Sequence, residues 1–365
     1  MASATRLPVK SIALGTALVL AAGSSRLNLR NVIINIFTGP GSYSRIAAAL
    51  LVVLNLKNAP WAWHYRVFYG ILYHCLFHKP NIPLDIAPST LFLPVITASH
   101  SPFMECDYNA HKSNSTYFSD LDVTRSHLIC ALIQPGIEKL QHNAREKLVL
   151  DKVGKPVLGK WSIMLGGVMS TFKREIGMYE GYEMWTRLLA WDRKWFYLVT
   201  HFVKKGAVKP ESYILTDGSW FGKNKYQKVN KDGNKTGEAV EYLDVKAIFA
   251  SSISKYVIKL GRLTIHPEVS LNAAGMLPPR PGGWATMNNA SGESMPETFE
   301  RVESSEATQE SSSGEEWDWK KIEEKNNDGL KLVEHFAALD GLHGEFTGSK
   351  APALGRYRDF LPSLW

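Results

Sequence analysis

The sequence predicts an α+β layered fold, an antiparallel sheet wrapped on one long helix. Three observations point to it. Over residues 115–133, Tyr117, Leu121, Leu128 and Leu132 recur at the spacing of one helix face. Strand-like runs follow at 162–173, 182–191, 195–203, 247–260 and 262–266. Asp192-Arg193-Lys194 forms a hairpin turn between two of those runs, which makes them antiparallel neighbours. At 45% hydrophobic and 11% aromatic, the 365 residues can bury a sizeable core.

Residues 1–84 are a hydrophobic N-terminal segment. Its apolar runs, 12–22 after Arg6 and Lys10 and 46–56 between Arg45 and Lys57, are each shorter than the roughly 20 residues that span a bilayer as a helix. The first resembles a signal-peptide core. The aromatic stretch Trp61-Ala62-Trp63-His64-Tyr65-Arg66 suits a membrane interface and a packed helix equally. Three readings stay open: an interfacial anchor with Arg45, Lys57 and Arg66 among headgroups, a cleaved signal, or helices that complete the core. The folded domain is expected over 85–270. Within it, 90–98 is β-rich, 104–114 is polar with turn formers, and Pro135-Gly136 is expected to end the helix. A polar insertion rich in lysine and glycine occupies 204–240. Residues 277–316, rich in Pro, Gly, Ser and Glu, read as a disordered linker. Residues 318–342 read as a C-terminal helix, docked through Leu330, Val333, Phe336, Ala337 and Leu339.

The net charge of +7 is uneven: nine acidic residues and Arg301 give 291–319 a charge of −8, leaving +15 elsewhere. That remainder suits CoA phosphates, an acidic carrier protein or a lipid headgroup, and equally an ordinary solvated surface. A nucleic-acid partner is not expected. Cys75, Cys106 and Cys130 are odd in number and too scattered for a metal knuckle or a disulfide framework, which suits a reducing compartment. No Gly-x-Ser-x-Gly elbow, P-loop, dinucleotide fingerprint or zinc spacing occurs, so no cofactor is expected.

The informative segment is Glu105-Cys106-Asp107-Tyr108-Asn109-Ala110-His111-Lys112-Ser113-Asn114-Ser115-Thr116-Tyr117. A short polar loop holds a carboxylate and an imidazole four residues apart and runs into a helix whose start offers Ser113, Asn114 and Ser115 as caps. A helix start leaves unpaired N–H groups at a positive dipole end, which can stabilise an oxyanion. A nearby carboxylate can activate water or attack directly. Acyl transfer needs both elements, although an ordinary capped loop carries them too. Asn114-Ser115-Thr116 is also a glycosylation sequon, and a glycan there would block the loop, which favours a cytosolic domain.

The segment resembles the 4-hydroxybenzoyl-CoA type of thioesterase, whose loop reads roughly D-x-D-x-x-G-H-x-N-N-x-x-Y. Asp107 matches the second Asp, His111 the His, Asn114 the second Asn and Tyr117 the Tyr. Asp122-Val123-Thr124-Arg125 resembles the acid–Arg pair of that family's central helix, and Trp191-Asp192 the turn of its long hairpin. Glu105, Ala110 and Ser113 depart from the motif, standing for Asp, Gly and Asn, and the 204–240 insertion is atypical. The closest likeness is to members with an N-terminal hydrophobic segment, in animals and fungi, some of them beside polyketide synthases. The resemblance implies a hotdog fold and an acyl-thioesterase acting on acyl-CoA or acyl-carrier-protein thioesters. It implies Asp107 as base or nucleophile, His111 as an orienting group, N–H groups near Asn114 as the oxyanion site, and a homodimer with the site at its boundary. Tyr117 and Arg125 are expected to be structural. A non-catalytic acyl-binding or scaffold protein at a membrane is the alternative, and a dehydratase a third.

Overall fold

The structure, a computed structural model, describes residues 29–151, 153–210, 213–215, 247–280 and 317–339. The apolar run at 12–22, most of the insertion and most of the linker lie outside these residues.

Six antiparallel strands form one sheet: β1 Val95–His100, β2 Trp161–Phe172, β3 Gly181–Trp191, β4 Trp195–Lys204, β5 Ile248–Leu260 and β6 Leu263–Ile265. Their order is β1-β3-β4-β5-β2, with β6 paired to the end of β5. The helices are α1 Leu29–Thr38, α2 Ser42–Leu54, α3 Ala62–Leu72, α4 Ala87–Thr90, α5 Asn114–Gln141, α6 Asn143–Glu146, α7 Pro267–Ala273 and α8 Trp319–Ala338. The long helix α5 lies on the inner face of the sheet, the hotdog arrangement implied above. In the β3–β4 hairpin, Asp192 Oδ1 accepts from the N–H groups of Lys194 and Trp195, both at 2.7 Å, as the expected turn requires.

Two expected boundaries move. Pro88 falls in the first turn of α4, so 87–90 is a helical turn and the strand starts only at Val95. The central helix runs through Pro135 to Gln141 instead of stopping there. Proline costs a helix interior about 3 kcal/mol, but this stretch is gripped from outside. At Gly136 an added Cβ would sit 2.5 Å from the Ser270 carbonyl oxygen, so α7 packs directly on the α5 backbone. That packing, with Leu132, Ile133 and Leu140 buried around it, outweighs the local preference.

The inner core is divided. Leu128, Ile133, Leu188, Phe196, Leu198 and Ile258 belong to one apolar cluster, and Tyr117, Leu121, Ile176, Tyr182, Met184 and Phe202 to another. Between them a row of hydroxyls crosses four strands, Thr186 opposite Thr200, Thr200 opposite Ser252, and Ser252 opposite Ser170. Thr186 bonds Thr200 at 2.9 Å and Thr124 of α5 at 2.8 Å, and Ser170 bonds Ser252 at 2.6 Å, so the buried hydroxyls are satisfied.

Strand alternation sends Tyr197 and Val199 to the opposite face, where α8 covers them with Val333 and Phe336. The C-terminal helix docks as its apolar stripe predicted, although Leu339 stays exposed. A Cβ at Gly329 would lie 2.2 Å from the Leu189 carbonyl oxygen, and Asn326 exchanges hydrogen bonds of 2.8 and 3.0 Å with the Trp191 backbone. The expected linker start at 277 is corrected as well: Leu277 is buried in the core and Arg280 pairs with Glu268 at 2.9 Å.

At the N-terminal side α2 buries none of its residues, and Leu50 to Leu54 are each at least half exposed. Among the described residues no helix is long and apolar enough to cross a membrane. Helix α3 instead packs on α5, and His74, in the π-turn that follows it, meets His127 of α5 with ring nitrogens 3.2 Å apart. Burial first, and then the neighbouring imidazole, pushes His74 down to about 3, and burial pushes His127 down to about 4.

Both rings are therefore neutral when folded and protonate near their ordinary value when unfolded. Their contribution is fully present above about pH 6.5 and is lost as pH falls toward the folded values. Stability is expected to drop by on the order of 1 kcal/mol per histidine per pH unit between pH 6 and 5. Urea titrations at stepped pH check this: a His74→Gln, His127→Gln chain should show a flatter dependence, and an unchanged slope would remove these histidines as the cause.

Candidate active site

The loop joining β1 to α5 is a miniature hairpin. Cys106 bridges Lys112, the Asp107 N–H donates to the His111 carbonyl at 2.8 Å, and the Ala110 N–H donates to the Asp107 carbonyl at 3.0 Å. Asp107 Oδ1 accepts from the Asn109 N–H at 2.9 Å, an Asx turn that fixes the carboxylate rotamer. Its Oδ2 has no partner among the described residues, and the side chain is exposed. Ala110 takes the left-handed conformation, φ 62°.

The caps expected from Ser113, Asn114 and Ser115 are not made. Ser113 is the N-cap residue without a side-chain cap bond, its hydroxyl pairing at 3.0 Å with that of Ser115, and Asn114 is exposed at the first helical position. Ser113 donates its N–H to the Glu105 carbonyl and Thr116 donates to that of Ser113. The N–H groups of Asn114 and Ser115 are left without an acceptor among the described residues. An uncapped start is costly unless a ligand or water supplies the acceptor. Asp107 and the start of α5 thus share one loop, whereas His111 turns aside: its Nε2 lies 3.1 Å from Glu175 Oε2 and its backbone bridges Gly177.

Beneath the loop lies a buried ion cluster that sequence reasoning missed. Asp120, on the second turn of α5, has a fully buried carboxylate. Its Oδ2 meets Lys57 Nζ at 3.0 Å and Lys112 Nζ at 2.9 Å, its Oδ1 meets Arg66 at 2.7 Å, and the Tyr182 hydroxyl donates to Oδ2. Glu105 Oε2 receives Lys57 at 2.8 Å and Lys112 at 2.5 Å. Burial by itself would raise the Asp120 carboxyl, but Lys57, Lys112 and Arg66 outweigh it and hold it below the usual range. Burial lowers Lys57 and raises Tyr182, the latter reinforced by Asp120. The lysine and arginine expected among headgroups are therefore turned into the body, while Arg45 folds back on the carbonyls of Asn35 and Pro40, both at 2.8 Å. One signal was available: Asp120 shares the inward face of α5 with Tyr117, Leu121 and Thr124. Lys112 and Lys57 look like solvated lysines in sequence.

Arg125 is almost wholly buried, its guanidinium pairing with Asp122 at 2.5 Å and donating to Ser254 at 2.7 Å. Tyr117 is a core residue packed on Phe172 and Phe202. Both are buried in the body.

The chain is similar to known proteins. The profile of the thioesterase-like superfamily matches residues 101–218. Thioesterase poxG of Penicillium oxalicum is 34% identical over 309 residues, which cover 83% of this chain and 87% of that protein. Probable thioesterase atnL of Emericella nidulans is 30% identical over 336 residues, 89% of this chain and 93% of that protein. A solved gentisyl-coenzyme A thioesterase, 14% identical, aligns over 49% of this chain and 98% of its own, with a TM-score of 0.28.

Ala110 stands where the resembled motif has glycine, in a conformation that disfavours a Cβ by about 1–2 kcal/mol. Ala110→Gly is expected to leave thermal stability unchanged or raise it by up to about 1 kcal/mol, part of the strain relief being offset by glycine's unfolded-state entropy. A drop in melting temperature would show that the Ala110 methyl is a needed contact.

Proposed function

Since the chain belongs to the thioesterase-like superfamily and is a thioester hydrolase, we propose that Asp107 activates the water that cleaves an acyl-CoA or acyl-carrier-protein thioester. The observation that carries this is the exposed Asp107 carboxylate in the same short loop as the uncapped start of α5. Asp107 takes a proton from water, and the hydroxide adds to the thioester carbonyl. The Asn114 and Ser115 N–H groups hold the resulting oxyanion. Collapse breaks the C–S bond, and the thiolate leaves with the proton Asp107 had taken. Direct attack by Asp107, giving an anhydride that water then opens, uses the same residues. His111, held by Glu175, orients the loop and touches no reacting atom.

The acyl group is proposed to be an apolar fatty or polyketide chain. Phe103, Met104, Tyr108, Phe118, Met178 and Tyr179 are exposed on segments flanking the loop, and fungal members of the resembled family occur beside polyketide synthases. A homodimer is proposed through the open edge of β2, where Met164, Leu165, Met169 and Phe172 are exposed. A membrane surface is proposed as the partner of α2, whose apolar side chains are exposed on every side. The catalytic domain is proposed to face the cytosol, since a glycan at the Asn114 sequon would close the site.

Asp107→Asn keeps the shape and the Asx acceptor but removes the base. Free-thiol release from a panel of acyl-CoAs should fall by about two to four orders of magnitude, with an unchanged melting temperature. Near-complete retention of turnover would sink the assignment.

A further inference from the structure

The ion cluster holds one cation more than its own charge balance needs. Lys112 touches both carboxylates and Arg66 neutralises Asp120 from the more exposed side, so two cations already balance Glu105 and Asp120. Lys57 is the third, yet its side chain is only 6% exposed. Its three N–H groups are shared among four acceptors, Glu105 at 2.8 Å, Asp120 at 3.0 Å, the Tyr182 hydroxyl at 3.0 Å and the His100 carbonyl at 2.9 Å. Those four partners belong to four segments: the foot of the catalytic loop, α5, β3 and the end of β1.

We propose that Lys57 is a positioning residue, clamping the foot of the Asp107 loop to the second turn of α5 so that carboxylate and helix N–H groups address one thioester carbonyl. Glu105 lies two residues before Asp107, and Asp120 lies about 1.7 turns beyond Asn114 on the same helix, so both halves of the site are registered through one ammonium. Lys57 belongs to the 3₁₀ turn Leu56–Asn58 that follows α2, and the neighbouring Asn55 accepts the Met104 N–H at 2.9 Å beside the loop. The N-terminal segment thereby completes the site. This inference rests on the role assigned to Asp107.

The test compares full-length Lys57→Met, Lys57→Arg and Arg66→Met by steady-state thiol release and thermal unfolding. Lys57→Met leaves the cluster neutral and fills similar space. It is expected to lower kcat about ten- to a hundredfold with KM within about twofold, as a misplaced group does. Arg66→Met removes one cation from the same Asp120 without touching the loop, and should keep kcat within about twofold at a comparable loss of melting temperature. Lys57→Arg keeps the cation and should recover part of the kcat. Wild-type kcat in Lys57→Met, or equal kcat losses in Lys57→Met and Arg66→Met, would overturn the proposal. If Lys57→Met does not fold, Lys57→Arg decides: a folded chain with reduced kcat supports it, while full kcat or failure to fold overturns it. Asp107→Asn in the same assay separates the two ideas, because an inactive Asp107→Asn beside an intact Lys57→Met indicts the clamp alone, and an active Asp107→Asn indicts the base.

Discussion

A carboxylate with no access to water dominates the architecture around the loop. Asp120 sits on the inward face of the central helix, where an isolated charge would cost many kcal/mol, and its ionisation depends on three cations drawn from three places in the chain. Deleting one partner of such a buried pair costs about 3–5 kcal/mol, because the remaining charge is stranded. Pairing with Asp120 therefore brings together segments that sequence alone leaves far apart: the turn after α2, helix α3, the Asp107 loop and β3. The loop is tied to the body through Glu105 and Lys112, despite its polar composition.

The same constraint ties the later part of the N-terminal segment to the body. Its later part is bound into the body, with Arg66 on Asp120, the Trp63 indole 3.2 Å from Asp122, and His74 against His127. Its earlier part, α2, presents leucine and valine to its surroundings on all sides. A helix apolar all round finds no match in a single protein groove, which covers one stripe. The core-completing packing is thus observed for the later stretch, and the anchor is proposed for α2 alone.

Much of the fold was legible because it rests on periodicity. Alternation in 182–191 and 195–203 marks strands with one face on α5 and the other under α8, and the Asp192 turn joins them as its chemistry requires. Legibility failed where long-range packing overrode local preference. Pro135-Gly136 reads as a stop, yet Gly136 is the place where α7 reaches the helix backbone. The candidate site divides in the same way. Asp107, Asn114 and the loop around them are a contiguous word in the sequence. The ion cluster is assembled from residues up to 125 positions apart, Lys57 and Tyr182, and no local pattern distinguishes a lysine that will be buried.

The hydroxyl row in the core bears on why the site sits at one end of the helix. Thr186, Thr200, Ser252 and Ser170, with Thr124 above them, separate an apolar cluster under the C-terminal half of α5 from a smaller one under its start. The larger cluster, with α7 and the packed Pro135 turn, anchors the helix. The smaller one includes Tyr117, Tyr182 and Phe202, with the Phe202 ring edge-on to Tyr117 and tilted to Tyr182, and Lys112 and Lys57 stand about 5.3–5.5 Å from the tyrosine rings. Aromatic rings can face both an apolar core and buried ammonium groups, as aliphatic side chains cannot. They make the transition from a dry core to a charged platform over two helical turns, and the loop with its exposed carboxylate rests on that platform.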